Sequence, residues 1–156
     1  MGPIVVTGGF GFIGGYVTRA LVELGRDVAV VTRGRPATPD MQFALRDHAG
    51  AFATETASVE DLSQLVEVFG RLRPATVVHA ASNVDVDDLY RDPFRAFQTN
   101  LAGTVNVFEA ARRTGVGRVV DFSSIGVLPP IQYEPIDGAH PIILPRQGPG
   151  SGAYGV

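Results

Sequence analysis

Short apolar runs alternate along the chain with longer segments whose apolar residues recur at helical spacing. The apolar runs predict five strands, at residues 3–7, 27–32, 51–54, 75–79 and 118–122. The first of these has no polar face, which is typical of a strand covered on both sides. The alternation of strand and helix predicts an α/β fold, a doubly wound parallel sheet of about five strands in three layers, αβα.

Local signals mark the ends of three helices between these strands. The first helix is expected to end at Gly25, which suits a left-handed C-cap. The second is expected to start at Ser58, with Asp61 completing a partial capping box. Asp92 and Pro93 supply an N-cap and a first-turn proline for the longest helix. Its apolar positions predict an inward face made of Phe97, Leu101, Val105 and Phe108.

Composition and charge narrow the class of protein. Apolar residues make up 45% of the chain and charged residues 19%, as in a globular domain. The formal net charge of −3 argues against a nucleic-acid or anionic-membrane partner, because both attract clustered Lys and Arg. The chain has no cysteine, and its three histidines lack ligand spacing, so we expect neither a disulfide nor a metal site. No basic, apolar leader precedes the first strand, so the expected location is the cytoplasm.

A glycine-rich turn, residues 7–14, joins the first strand to the first helix and reads TGGFGFIG. Gly8, Gly11 and Gly14 satisfy G-x-x-G-x-x-G, and Gly9 with the last two satisfies G-x-G-x-x-G. Glycines at this spacing permit the tight turn, the approach of a pyrophosphate to the backbone, and close packing of helix on strand. The free N–H groups of the helix's first turn then face the phosphates. The alternative is a glycine-rich turn that binds nothing.

This motif predicts a Rossmann-type dinucleotide-binding domain over residues 1–126, because strand, turn and helix come in the required order. A P-loop would need Gly-Lys-Ser/Thr at the helix start, where this chain has Gly-Gly-Tyr. Residues 127–156 are rich in proline and glycine and show no sustained period. We expect them to form an irregular segment that lines the active site.

The end of the second strand bears on which dinucleotide is bound. An acidic residue there would bond the ribose 2′-hydroxyl and select NAD. This chain has Thr32, Arg33 and, two residues further on, Arg35, with no carboxylate among them. Arg33, helped by Arg35, could pair with the 2′-phosphate of NADP through charge-assisted hydrogen bonds. The residues therefore favour NADP over NAD, and the alternative is that both arginines are solvated loop charges.

Five segments, taken in order, resemble the extended short-chain dehydrogenase/reductases, the NAD-dependent epimerase/dehydratase family. The glycine turn matches the TGGxGFIG signature, and VVHAA at 77–81 is similar to the family's fourth strand. The helix from Asn100, with NLAGT and then FEAAR, is similar to the NxxGTxNLLEAAR helix. FSSIGV at 122–127 is similar to the SSxxVYG segment, although Leu-Pro follows in place of Tyr-Gly. AYGV at 153–156 matches the start of the YGxSK motif.

The resemblance implies hydride transfer between NAD(P) and a hydroxyl or keto carbon of a small molecule such as a nucleotide sugar. In the family's pattern, Ser124 would hydrogen-bond the substrate oxygen and Tyr154 would give or take its proton. Reductase, dehydrogenase, epimerase and dehydratase chemistry all stay open. The alternative class is a non-catalytic module that senses a dinucleotide and acts through protein contacts, and Ser124 and Tyr154 favour the enzyme.

The family's motif also has a lysine four residues after the tyrosine, at a position beyond residue 156. A phenol with a pKa of about 10 is a poor base at neutral pH without a nearby cation. We therefore expect the 156-residue chain to contact the cofactor but to lack hydride transfer on its own. We also expect it to expose apolar surface that favours self-association, as in a homodimer.

The glycine turn and the resemblance together imply cofactor contacts near the carboxyl ends of the strands. At Glu55 or Thr56 the resemblance implies a contact with adenine, and a solvated carboxylate is an equal alternative for Glu55. A functional role is favoured for Asn100, because a helix interior has little other use for Asn. The expected set is Gly8, Gly11, Phe12, Ile13, Gly14, Thr32, Arg33, Glu55, Thr56, Ala80, Ala81, Ser82, Asn100 and Ser123.

Overall fold

Five strands form one parallel sheet in the computed structural model, which describes residues 2–124 and 131–140. The strands are β1 (Ile4–Thr7), β2 (Val28–Thr32), β3 (Ala53–Thr56), β4 (Thr76–His79) and β5 (Arg118–Asp121). Their order across the sheet is β3-β2-β1-β4-β5, and every neighbouring pair is parallel. This order confirms the predicted Rossmann-type sheet.

Helices cover both faces of this sheet. The helices of the described residues are α1 (Phe12–Glu23), α2 (Pro39–Leu45) with a 3-10 turn at Arg46–His48, α3 (Leu62–Leu72), α4 (Val86–Arg91), α5 (Pro93–Ala96) and α6 (Gly103–Thr114). A π-helical segment, Phe97–Ala102, joins α5 to α6. α1 packs on one face of the sheet, whereas α3 and α6 pack together on the other. The predicted three layers are therefore confirmed.

Successive residues of the central strand enter two separate cores. Val5 belongs to the core beneath α3 and α6, where Leu65 and Phe69 are fully buried. Val6 belongs to the core beneath α1, together with Val28 of β2. Because both faces of β1 are buried, this strand appears in the sequence as an unbroken apolar run.

The predicted caps of two helices are confirmed. Gly25 follows the C-cap residue of α1 with a φ of 67°, the left-handed region that glycine enters without strain. Asp92 caps α5, its Oδ1 accepting a hydrogen bond from the backbone N–H of Arg95 at 3.1 Å, and Pro93 lies in the first turn. Asp92 thus pairs a backbone N–H that the helix itself cannot pair, and Pro93 has no N–H to leave unpaired.

The predicted start of α3 at Ser58 is wrong, because the helix begins at Leu62. Asp61 is itself the N-cap: its Oδ1 accepts hydrogen bonds from the backbone N–H groups of Ser63, at 2.9 Å, and Gln64, at 3.1 Å. One carboxylate thus pairs two first-turn donors, and the turn that contains Ser58 stays outside the helix.

The predicted inward face of the longest helix is also wrong. Its four members are 37–57% exposed, namely Phe97, Leu101, Val105 and Phe108. The helix approaches the protein through small residues instead, and a β-carbon on Gly103 would lie 2.9 Å from Cγ2 of Val59. The π-helical segment also shifts the phase of the residues that follow it, which a regular 3.6-residue pattern does not anticipate.

Candidate functional site

Two cavities lie at the carboxyl ends of the strands, where the chain crosses from one half of the sheet to the other. Open α/β sheets bind ligands at this switch point. The β2-side cavity, about 240 Å³, has a wall that includes Gly8, Thr32, Arg33, Ala57 and Thr99. The β5-side cavity, about 420 Å³, has a wall that includes His79, Asn100, Thr104, Ser123 and Ser124. The residues that line both cavities are Gly11, Ala80, Ala81 and Ser82.

Close packing explains two glycines of the turn. Gly8 has a φ of 69°, and a β-carbon on it would lie 2.7 Å from the Cα of Ala81. A β-carbon on Gly14 would collide with the carbonyl oxygen of Gly8. These positions therefore let strand, turn and helix approach one another, two of the roles that the glycine motif predicts.

Gly11 is left facing both cavities at the start of α1. It is the N-cap residue and makes no side-chain cap, so the first-turn N–H groups of Phe12, Ile13 and Gly14 have no capping side chain. Its own N–H donates to the carbonyl oxygen of Gly8 at 2.8 Å, which fixes the turn. Unpaired N–H groups at a helix N-terminus attract anions, so this turn fits a pyrophosphate that spans the two cavities.

At the β2-side cavity, Arg33 is paired with a carboxylate that sequence reasoning missed. Nη1 of Arg33 lies 3.5 Å from Oε1 of Glu60, and Oγ1 of Thr99 donates to the same oxygen at 2.5 Å. Arg33 and Thr99 both line the cavity. Nothing in the pattern marks Glu60, because acidic residues are common where a helix begins.

β3 lies two residues later than predicted, at Ala53–Thr56, so Glu55 and Thr56 lie within the strand. The Glu55 carboxylate accepts hydrogen bonds from both Nη atoms of Arg71, at 3.1 and 2.6 Å. Ala57, the residue after the strand, lines the β2-side cavity. The adenine contact of Glu55 and Thr56 therefore stays a prediction, with the carboxylate of Glu55 already paired.

Asn100, on the π-helical segment, holds the loop that follows β4. Its Oδ1 accepts hydrogen bonds from Oγ of Ser82, at 3.0 Å, and from the backbone N–H of Asn83, at 2.7 Å. Its Nδ2 donates to the carbonyl oxygen of Asn83 at 2.9 Å. Since Ser82 lines both cavities, Asn100 fixes the wall that they share.

His79 is buried between two threonines at the end of β4. Thr104 Oγ1 donates its proton to the carbonyl oxygen of Asn100 at 2.6 Å, so Nε2 of His79, 3.1 Å away, must donate to Thr104. In the neutral ring Nδ1 then accepts from Oγ1 of Thr7, 2.6 Å away. Burial lowers the pKa of His79, against a smaller opposite effect of Asp121, and so favours this neutral form.

The structure places Ser123 and Ser124 in the wall of the β5-side cavity, one residue beyond the end of β5. Tyr154 lies outside the described residues, as does most of the predicted irregular segment 127–156. The pairing of Ser124 with Tyr154 therefore stays a prediction.

Two other kinds of feature are absent from the described part of the chain. Residues 2–124 and 131–140 contain no group of three or more His, Asp or Glu side chains placed to hold a metal ion. Nor do those residues form a helix of the length and apolar character needed to cross a membrane.

The strand order, the glycine turn and the paired cavities define a Rossmann-type α/β domain. The model of the NAD dependent epimerase/dehydratase family matches residues 4–148, and this chain belongs to that family.

Similar proteins include enzymes that act on nucleotide sugars. UDP-glucose 4-epimerase of Mus musculus is 30% identical over 148 residues, which are 90% of this chain and 43% of that protein. dTDP-glucose 4,6-dehydratase of Neisseria meningitidis is 37% identical over 114 residues, 72% of this chain and 32% of that protein. The crystal structure of Thermus thermophilus UDP-glucose 4-epimerase in complex with NAD has a TM-score of 0.77 and 26% identity, over 97% of this chain and 47% of that one. The chain thus spans less than half the length of these proteins.

Proposed function

We propose that this chain is the nicotinamide-dinucleotide-binding part of an enzyme that epimerises, dehydrates, oxidises or reduces a nucleotide sugar or a similar small molecule. The observation that carries the proposal is the glycine turn at the switch point, with a cavity on each side. A dinucleotide is two nucleosides joined by a pyrophosphate, and two cavities joined at this turn suit that shape. The likeness to an epimerase whose crystal structure holds NAD supports the same class.

The chain's own residues would bind and orient the reacting groups. When bound, the nicotinamide would take a hydride from the substrate carbon or return one. The first-turn N–H groups of α1 would bind the pyrophosphate, and the small side chains of Ala80 and Ala81 would let the cofactor lie against the backbone. Ser124, in the β5-side cavity, would hydrogen-bond the substrate oxygen, and Tyr154 would move its proton.

NADP is the dinucleotide that we propose as preferred. Arg33 lines the β2-side cavity at the end of β2, and Arg35 lines it too, so positive charge stands where a 2′-phosphate would lie. NAD is the alternative that binds the same turn without using that charge.

Calorimetric titration of the chain with NAD⁺, NADH, NADP⁺ and NADPH tests the proposal. Gly11→Ala would put a β-carbon 3.2 Å from the carbonyl oxygen of Gly8, where the two cavities meet. We expect at least about tenfold weaker binding with an unchanged circular dichroism spectrum. Gly70→Ala, on an exposed position of α3, is the matched control and should keep the original affinity. Lack of binding to all four dinucleotides at millimolar concentration in a folded sample would overturn the proposal.

We also propose that the chain associates as a homodimer. Phe94, Phe97 and Val105 are each more than half exposed on consecutive helical segments, which leaves an apolar face for a second copy to cover.

The cytoplasmic location stays a prediction from the sequence.

A further inference from the structure

Arg33, in the wall of the β2-side cavity, lies beside a charge of the opposite sign. Arg33 and Arg35 are the cations of its wall, and the Glu60 carboxylate lies 3.5 Å from Nη1 of Arg33. The Arg33 and Glu60 side chains are 39% and 33% exposed, so solvent reaches the pair and a ligand can too. The guanidinium is therefore already partly neutralised before any ligand arrives.

The backbone on either side of Glu60 is held in place. Its N–H donates to Oγ of Ser58 at 3.2 Å, and the next residue, Asp61, caps α3. The hydroxyl of Thr99, on the π-helical segment, donates to Oε1 of Glu60 at 2.5 Å. The backbone of Glu60 is thus hydrogen-bonded to Ser58 and its carboxylate to Thr99, and together these bonds keep the carboxylate close to Arg33.

We infer that Glu60 is a specificity-determining residue of the dinucleotide site, one that reduces the preference for a 2′-phosphate that Arg33 provides. The inference rests on the proposed function. A 2′-phosphate carries between one and two negative charges at neutral pH and competes with Glu60 for the same guanidinium. A ribose with a free 2′-hydroxyl brings no such charge and meets no repulsion from the carboxylate.

Glu60→Gln tests this inference with little change of shape. The amide keeps an oxygen that can accept from Thr99 but removes the negative charge beside Arg33. We expect the affinity for NADP⁺ to rise about tenfold, with the affinity for NAD⁺ changing less than about twofold. The gain should shrink as salt is raised from 0.05 to about 0.5 M, because the groups are partly exposed.

Two further variants separate a local effect from a change of net charge. Glu67→Gln removes one negative charge from an exposed position of α3 and should leave the ratio of the two affinities unchanged. In an Arg33→Gln background, Glu60→Gln should no longer raise the affinity for NADP⁺, because its partner is gone.

Calorimetric titration with NADP⁺ and NAD⁺ reads out every variant, and thermal unfolding followed by circular dichroism verifies folding. If both dinucleotides bind and Glu60→Gln leaves their affinity ratio unchanged, the role of Glu60 is overturned and the proposed function stands. If neither binds the folded original chain, the proposed function fails and this inference fails with it.

Discussion

At the residue scale, the imidazole of His79 has the most tightly constrained surroundings in the site. His79 is only 3% exposed. Its two ring nitrogens are hydrogen-bonded to the hydroxyls of Thr7, on β1, and Thr104, on α6. The neutral ring satisfies all of these contacts at once. Protonation of Nδ1 would break the hydrogen bond that it accepts from Thr7, because the Thr7 hydroxyl would have to point its proton elsewhere.

His79 should make stability fall as the pH falls below the ordinary pKa of an imidazole, about 6.5. Burial lowers the pKa of His79 in the folded chain, so below about pH 6.5 the unfolded chain binds the proton more readily. The free energy of unfolding should therefore fall as the pH falls, by at most about 1.4 kcal/mol per pH unit from this residue. Urea unfolding at several pH values, on the original chain and on His79→Asn, measures the difference.

Carboxylates lose their stabilising contacts at lower pH, so they should contribute little in this window. The pKa of Glu109 is lowered to about 2 by hydrogen bonds from Arg112 and Arg113, and this contribution is lost only as the pH falls from about 4.5 towards that value. Equal slopes for His79→Asn and the original chain above pH 5 would contradict the assignment. An NMR titration of the His79 ring gives the same information should the variant fail to fold.

The residues around Arg33 show which part of the site the sequence does not predict. The sequence predicts a cofactor contact for Arg33, because the residue at the end of the second strand of a Rossmann-type domain contacts the ribose of the dinucleotide. No such rule marks Glu60 or Thr99. Glu60 lies 27 positions beyond Arg33, and Thr99 hydrogen-bonds to Glu60 from the π-helical segment, so these contacts form only when the chain folds. No local pattern marks an ion pair formed between two loops.

At the scale of elements, the strands and two of the three helix ends were more predictable than the inward face of the longest helix. An apolar run bounded by turns contains the signal for a buried strand, and the Asp-Pro and Gly signals for helix ends act locally. The inward face of the long helix depends on what packs against it. Gly103 permits contact with Val59, and large apolar residues such as Phe97 are left outside.

The π-helical segment positions Asn100, and its contribution can be measured. Asn100→Ala removes three hydrogen bonds that hold Ser82 and Asn83, and we expect a loss of about 1–3 kcal/mol in the free energy of unfolding. Because Ser82 lines both cavities, dinucleotide affinity should fall as well. Urea unfolding and calorimetric titration measure the two effects.

A second asparagine provides the control. Asn106, on α6, donates one hydrogen bond from Nδ2 to the carbonyl oxygen of Val59 at 2.9 Å. Asn106→Ala should cost about 1 kcal/mol, and it should lower dinucleotide affinity less than Asn100→Ala does. If the two variants lost affinity equally, Asn100 would have no special role in holding the loop after β4.

At the scale of the whole molecule, the arrangement of the sheet explains why the site could be located from the sequence. Parallel strands place all their carboxyl ends at one edge, so residues that follow β1, β2, β4 and β5 meet there whatever their distance along the chain. Gly11, Arg33, Ala80 and Ser124 are brought together in this way.

The proposed cofactor binding and the proposed catalysis can be tested separately on the 156-residue chain. It spans 43% of the mouse UDP-glucose 4-epimerase that it resembles. The resemblance implies that Tyr154 needs a lysine cation four residues further along, and a phenol with a pKa of about 10 hardly loses its proton at pH 7 without one. We expect the chain to bind NAD(P) in calorimetry but to give no detectable 4-epimer from UDP-glucose with NAD⁺ or NADP⁺ present. Conversion that depends on added dinucleotide and disappears in Gly11→Ala would show that the residues present suffice for catalysis.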